Sequence, residues 1–254
     1  MKTRLLLLFA GLLIAAAFLV DRMPQDAEYH QLADSRSILG VTNFWNVMTN
    51  LPLLLVGLAG LWFLRQREHD GLLDAMYPAY IVFFAGVGAT GLGSAWYHLL
   101  PNNATLVWDR LPMTVAFMGL FTVIIGEYVC HRGARRLLIP LLLIGAASVF
   151  YWQYTESTGV GDLRPYALVQ FMPMILIPIL LLAYRSDFGW QGVYWSMIVL
   201  YACSKLFEYF DYNVYSMGQL LSGHSIKHLV AACVPGLFLY AIARRRPTAS
   251  GVKR

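Results

Sequence analysis

His224 and His228, one helical turn apart in the run His224-Ser-Ile-Lys-His228, are the residues of this sequence best spaced to do chemistry. At i, i+4 their imidazoles share one face of a helix about 6 Å apart, a separation that one metal ion bridges. A second run, Ser94-x-x-x-His98, sets a hydroxyl and an imidazole one turn apart, and Asp109 follows eleven residues later. A third imidazole from His98 would complete the three-His, open-position arrangement of a catalytic zinc, whose coordinated water ionises near pH 7. Asp109 would then serve as general base or acid, and Ser94 would hydrogen-bond the water, a ligand or the developing oxyanion. One histidine at a membrane boundary is ordinarily just a hydrogen-bonded boundary residue. Three at one depth, with an aspartate and a serine, favour a site.

The elements that must position these residues are membrane helices. Of 254 residues 58% are hydrophobic and 13% charged, outside the balance of soluble domains. Apolar runs of about 18 to 22 residues recur, each long enough to cross roughly 30 Å of hydrocarbon. The first, about 5 to 20, follows Lys2 and Arg4 as a signal anchor or signal peptide does; Ala15 to Ala17 lie inside the run, which favours an uncleaved helix. After a polar stretch, further spans are expected at about 44 to 64, 76 to 99, 109 to 129, 137 to 154, 164 to 184, 191 to 210 and 222 to 243. The fold class is therefore all-α, a polytopic membrane helical bundle with a seven-helix core plus one N-terminal hydrophobic helix. Its expected parts are 1–22 as anchor or signal, 23–43 as an extracytoplasmic polar segment, 44–243 as the core and 244–254 as a basic cytoplasmic tail. Arg65, Arg67, Arg132, Arg135, Arg136, Arg185 and the tail outnumber Arg22, Arg36, Arg110 and Arg164 on the other side, which puts both termini in the cytoplasm and the histidines near the extracytoplasmic boundary.

The net charge of +5 sits in short loops and the tail, so it reports topology and argues against nucleic acid. Cys130, Cys203 and Cys233 form no CxxC pair. Gly86, Gly88, Gly91 and Gly93 follow no strand and are expected to let a helix approach closely. Pro112, Pro173, Pro178 and Pro235 are tolerable kinks. In the seventh span, Lys205, Glu208 and Asp211 read as an internal ion pair or, less readily, as a substrate headgroup contact. Glu127 is expected to snorkel or to pair with Arg132 or Arg135. Trp96 and Trp108 flank the proposed site as belt anchors or as the lining of a lipid path. His30, His69 and His131 are expected to be solvated in polar loops. A metal or proton transporter would need polar residues through to the cytoplasmic side, and these cluster at one side only.

Ser94-x-x-x-His98, then Asp109, then His224-x-x-x-His228 in the last span resembles the signature of the alkaline ceramidases. Their wider membrane-hydrolase superfamily includes the progestin and adiponectin receptors and the Per1-type lipid remodelling proteins. Asn43-Phe-Trp-Asn46 also looks like the ceramidase start, and the resemblance runs from about Phe44 to Ala243. It implies a zinc ion on His98, His224 and His228, Asp109 and Ser94 as catalytic partners, and hydrolysis of the N-acyl amide of ceramide, a membrane lipid, to a sphingoid base and a fatty acid. Members with a calcium site carry an acid where Asn43 stands, and the upstream acids are only Asp26, Glu28 and Asp34, so no calcium ligand set is expected. A phospholipase or acyl-remodelling hydrolase with the same metal, and a non-hydrolytic seven-helix lipid receptor, are the competing readings.

Overall fold

A computed structural model describes residues 1–66 and 70–248, so Arg67, His69, Lys253 and Arg254 lie outside the described residues. The described residues form ten α-helices: α1 (Lys2–Leu19), α2 (Phe44–Met48), α3 (Leu51–Arg65), α4 (Tyr77–Leu99), α5 (Asn103–Tyr128), α6 (His131–Ser157), α7 (Arg164–Ala183), α8 (Gly192–Tyr209), α9 (Asp211–Gly218) and α10 (Gly223–Arg244). Among the described residues seven stretches are long and apolar enough to cross a membrane: α1, α2 with α3, α4, α5, α6, α7 and α10, as a multi-pass membrane protein requires. The expected span at 191 to 210 exists as α8 but falls short of this measure. Lys205, Glu208 and its tyrosines lower its hydropathy, and α8 packs instead along α10.

Apolar runs located the helices, while capping chemistry set where they begin. α5 starts at Asn103 rather than near 109, because Asn102 accepts from the backbone N–H groups of Ala104 and Thr105, and Thr105 Oγ1 in turn accepts from the Asn102 N–H. α6 starts at His131 rather than near 137, its first turns carrying the exposed Arg132, Arg135 and Arg136. The span expected at 44 to 64 breaks between α2 and α3. There Thr49 Oγ1 donates back to the Trp45 carbonyl at 2.6 Å and Asn50 Nδ2 to the Asn46 carbonyl at 2.7 Å, local bonds that compete with a continuous helix. The same break turns Thr49 and Asn50 inward.

Small residues bring α3, α4 and α5 together. A Cβ on Gly93 would overlap the Trp108 carbonyl of α5, and one on Gly57 would overlap the α4 backbone at Gly88. These contacts confirm the packing role expected of the α4 glycines. The main core holds Tyr80, Phe83, Phe84, Val123, Leu180 and Phe238. A smaller cluster of Tyr97, Leu106, Val149, Trp152 and Tyr166 lies nearer the end of α4 that carries His98. α1 buries none of its residues and lies against α7, where Lys2 Nζ donates to the Ala183 carbonyl at 2.9 Å and Arg164 Nη1 to the Val20 carbonyl at 2.6 Å.

At the far end of the bundle Glu127 is fully buried and does not reach Arg132 or Arg135, which point outward. It pairs with Arg245, and it accepts from the Tyr80 hydroxyl at 2.7 Å and the Tyr194 hydroxyl at 2.5 Å. Arg245 also donates to the Gly71 carbonyl at 2.8 Å and lies 4.2 Å from the Phe188 ring centroid. Folding back from α10 therefore buries a residue of the expected solvated tail. A buried carboxylate needs several donors at once, and one guanidinium with two phenols supplies them.

Candidate metal centre and the cavity beside it

His98 lies in the last turn of α4, and His224 and His228 in the first turns of α10; all three are buried. His98 Nε2 approaches His228 Nε2 to 3.2 Å and His224 Nε2 to 3.3 Å. One ligating nitrogen from each histidine lies within 4.8 Å of the others. Zinc–imidazole bonds of about 2.0–2.1 Å at tetrahedral angles separate neighbouring nitrogens by about 3.3–3.4 Å, so this spacing suits such an ion.

Proton counting makes the same case. Thr49 Oγ1 gives its hydrogen to Trp45 and lies 3.0 Å from His228 Nδ1, so it accepts that N–H, leaving the His228 Nε2 lone pair facing His98. His98 Nε2 carries at most one hydrogen for two neighbours. With neutral rings, at least one of the two close approaches then lacks a hydrogen bond unless a cation is shared. Three buried imidazoles without a carboxylate among them thus form a donor set that fits a metal ion.

The backbone around the triad is pinned by buried amides and carboxylates. Asn43, at the left-handed φ of 50° before α2, donates from Nδ2 to the His98 carbonyl at 2.8 Å. The His224 N–H donates to Asp211 Oδ1 at 2.7 Å, and Ser222 caps α10 through the Ser225 N–H. Asp211 also accepts the Ala33 N–H at 3.1 Å, while Asn46 donates to the Asp34 carbonyl at 2.8 Å and accepts from Ser225 Oγ at 3.0 Å. The polar segment before α2 is thereby stitched over the site.

Ser94 on α4 and Asp109 on α5 come close enough across the tight α4–α5 contact for the hydroxyl to act on the carboxylate. Both line a cavity of about 330 Å³, with His228 in the same wall, within the about 300–1,000 Å³ usual for ligand sites. Leu53, Phe83, Val87, Met113, Phe117 and Val234 make most of it apolar. Lys205 and Glu208 line it as well, whereas Trp96 and Trp108 are 51% and 58% exposed on the outer surface and do not.

Several site residues carried no sequence signal that was used. Lys227 and Arg110 line the cavity, and each is an ionisable residue inside a span, which is itself a signal. Tyr29, in a short 3₁₀ turn, lines it too, and its hydroxyl reaches Glu208 Oε1 at 3.4 Å. Burial first, then the Glu208 charge, pushes this phenol well above its usual value, so it stays a donor. His30 is not solvated: it bonds the Tyr97 hydroxyl at 3.0 Å and Asn103 Oδ1 at 2.9 Å. His131 likewise meets Asp187 at 2.5 Å. Both corrections have one cause, since loops that pack onto a bundle must bond their polar groups to it.

A model of the ceramidase family, "Ceramidase", matches residues 38–210. The chain belongs to the ceramidase family. The matched stretch includes Ser94, His98 and Asp109 and ends before His224 and His228, which the fold brings back to them. Among curated proteins, the chain is similar to "Putative alkaline ceramidase dcd3A" of Dictyostelium discoideum, 27% identical over 124 residues. That similarity takes in 41% of this chain and 43% of the relative, so the chain covers less than half of the relative's length.

Proposed function

We propose that this ceramidase-family chain is a zinc-dependent intramembrane hydrolase that cleaves the N-acyl bond of a ceramide-like lipid to a sphingoid base and a fatty acid. The observation that carries this reading is the convergence of three buried imidazole nitrogens, one of them on His228, which shares the wall of an apolar cavity with Asp109. His98, His224 and His228 would hold the ion. When bound, zinc supplies Lewis acidity, drawing electron density from an acyl carbonyl and letting water ionise near neutral pH.

The protein's own groups do the rest. Asp109 takes a proton from the attacking water and returns it to the leaving amine. Ser94, beside that carboxylate, gives its one hydroxyl hydrogen to the developing oxyanion. Thr49 fixes the ring orientation of His228 from behind. The apolar wall takes the acyl chain and keeps bulk water from the amide. The distribution of lysine and arginine supports a site open to the extracytoplasmic leaflet with both termini in the cytoplasm.

Elemental analysis of the detergent-purified protein, run beside a ceramide hydrolysis assay, tests the reading. One zinc per chain and release of fatty acid are expected. Absence of any bound transition metal together with no turnover would refute it.

A further inference from the structure

The charged groups that line the cavity do not balance. Arg110, Lys205 and Lys227 face Asp109 and Glu208, three cations against two carboxylates, an excess of one positive charge among the side chains that line it. Both oxygens of Glu208 are taken, Oε2 by Lys205 Nζ at 2.5 Å and Oε1 by Lys227 Nζ at 2.6 Å. An ammonium has three N–H donors, and each lysine gives one to Glu208 with no second protein acceptor among the described residues. Arg110, 6% exposed, makes no ion pair among the described residues. It donates to Gln25 Oε1 at 2.5 Å, lies 4.2 Å from the Trp152 ring centroid, and buries Nη1 without an acceptor.

Cations with spare donors are costly to keep inside a membrane bundle, and a ligand anion offsets that cost. Lys205 and Lys227 line the same cavity as His228, so one lipid seated with its amide at the triad reaches the two lysines. An acyl tail has no polar atom to offer at that point, which leaves the amine half of the lipid.

We propose that Lys205 and Lys227 form an anion site, and that the lipid this protein cleaves carries a carboxylate or phosphate on its amine half. The inference rests on the hydrolase reading and narrows its substrate class from neutral ceramide to acidic N-acyl lipids. Glu208 holds the two ammoniums together and Tyr29 steadies Glu208.

The test uses the full-length, metal-replete protein in detergent and two lipids that differ in the anion alone, ceramide and its 1-phosphate ester. Lys205→Met and Lys227→Met are made singly, since each leaves Glu208 paired with the remaining lysine. Wild type should prefer the phosphate ester in kcat/KM, and each replacement should lower that preference about 10- to 100-fold, as loss of a charge-assisted hydrogen bond does. Equal turnover of the two lipids, or a preference untouched by both replacements, would overturn the proposal. So would palmitate inhibition that the replacements relieve while the two lipids are cleaved alike, because the occupant would then be the carboxylate of the product. Should metal-replete protein cleave neither lipid, the hydrolase reading fails by itself. Equilibrium binding of dodecyl phosphate against dodecanol then decides the anion site: a preference for the phosphate that Lys227→Met abolishes supports it, and no preference overturns it.

Discussion

Thr49→Val is the substitution that separates metal chemistry from folding most cleanly. Valine keeps the shape of threonine and removes one oxygen, which in the native chain donates to the Trp45 carbonyl at 2.6 Å and sits 3.0 Å from His228 Nδ1. The Trp45 carbonyl keeps the Thr49 backbone N–H at 3.0 Å, so it is not orphaned. The folding loss is therefore that of about two neutral hydrogen bonds, roughly 1–3 kcal/mol. Metal affinity should suffer in addition. Removing the partner that orients a ligating imidazole lowers affinity about 10- to 100-fold, or about 1.4–2.7 kcal/mol. Zinc titration against a competing chelator reads the affinity, and thermal unfolding of the apo protein reads the fold. Thr49→Ser keeps the hydroxyl and should bind as wild type does. Identical affinities for the valine and serine variants would refute the argument that Thr49 sets the tautomer of His228.

His224→Ala should cut bound metal well below one per chain, and unchanged metal content by elemental analysis would contradict ligation. Asp109→Asn should keep its metal while hydrolysis falls about 10²- to 10⁴-fold, the usual worth of a proton-transfer group; retained turnover would remove Asp109 from the mechanism. Glu127→Ala leaves Arg245 buried without its counter-ion, and breaking such a pair costs about 3–5 kcal/mol. A clear drop in thermal unfolding temperature is expected, and a shift within error would show that the pair contributes little. Gly93→Ala places a methyl group onto the Trp108 carbonyl, and overpacking of that kind costs about 1–3 kcal/mol. Unfolding measurements should show that loss together with reduced turnover, since the same contact sets Ser94 against Asp109.

The helices and the triad were legible in the sequence because each rests on a local pattern. Apolar runs mark spans, and one-turn spacing marks residues that share a face, so His224 with His228 and Ser94 with His98 could be paired before any fold was known. Long-range partners left no such trace. Arg245 reads as one of four tail arginines, and only the fold shows that Glu127 selects it. Thr49 and Asn50 look like ordinary residues of an apolar run until the break between α2 and α3 turns them toward His228. The hydropathy of α8 is lowered by Tyr194, Tyr201, Lys205 and Glu208, whose polar groups turn to partners inside the bundle or to the cavity.

α10 is moored at both extremities. Its first turn is tied through His224, His228 and the Asp211 carboxylate, and the residue just past its last turn is locked by Glu127 and two phenols. A rod fastened at each tip neither slides nor rotates; it bows. Pro235, which lacks an N–H and lies in the cavity wall midway along, is where that bowing costs least. Bending of α10 is thus confined to one joint in the cavity wall, while the ends that carry the histidines and meet Glu127 stay fixed.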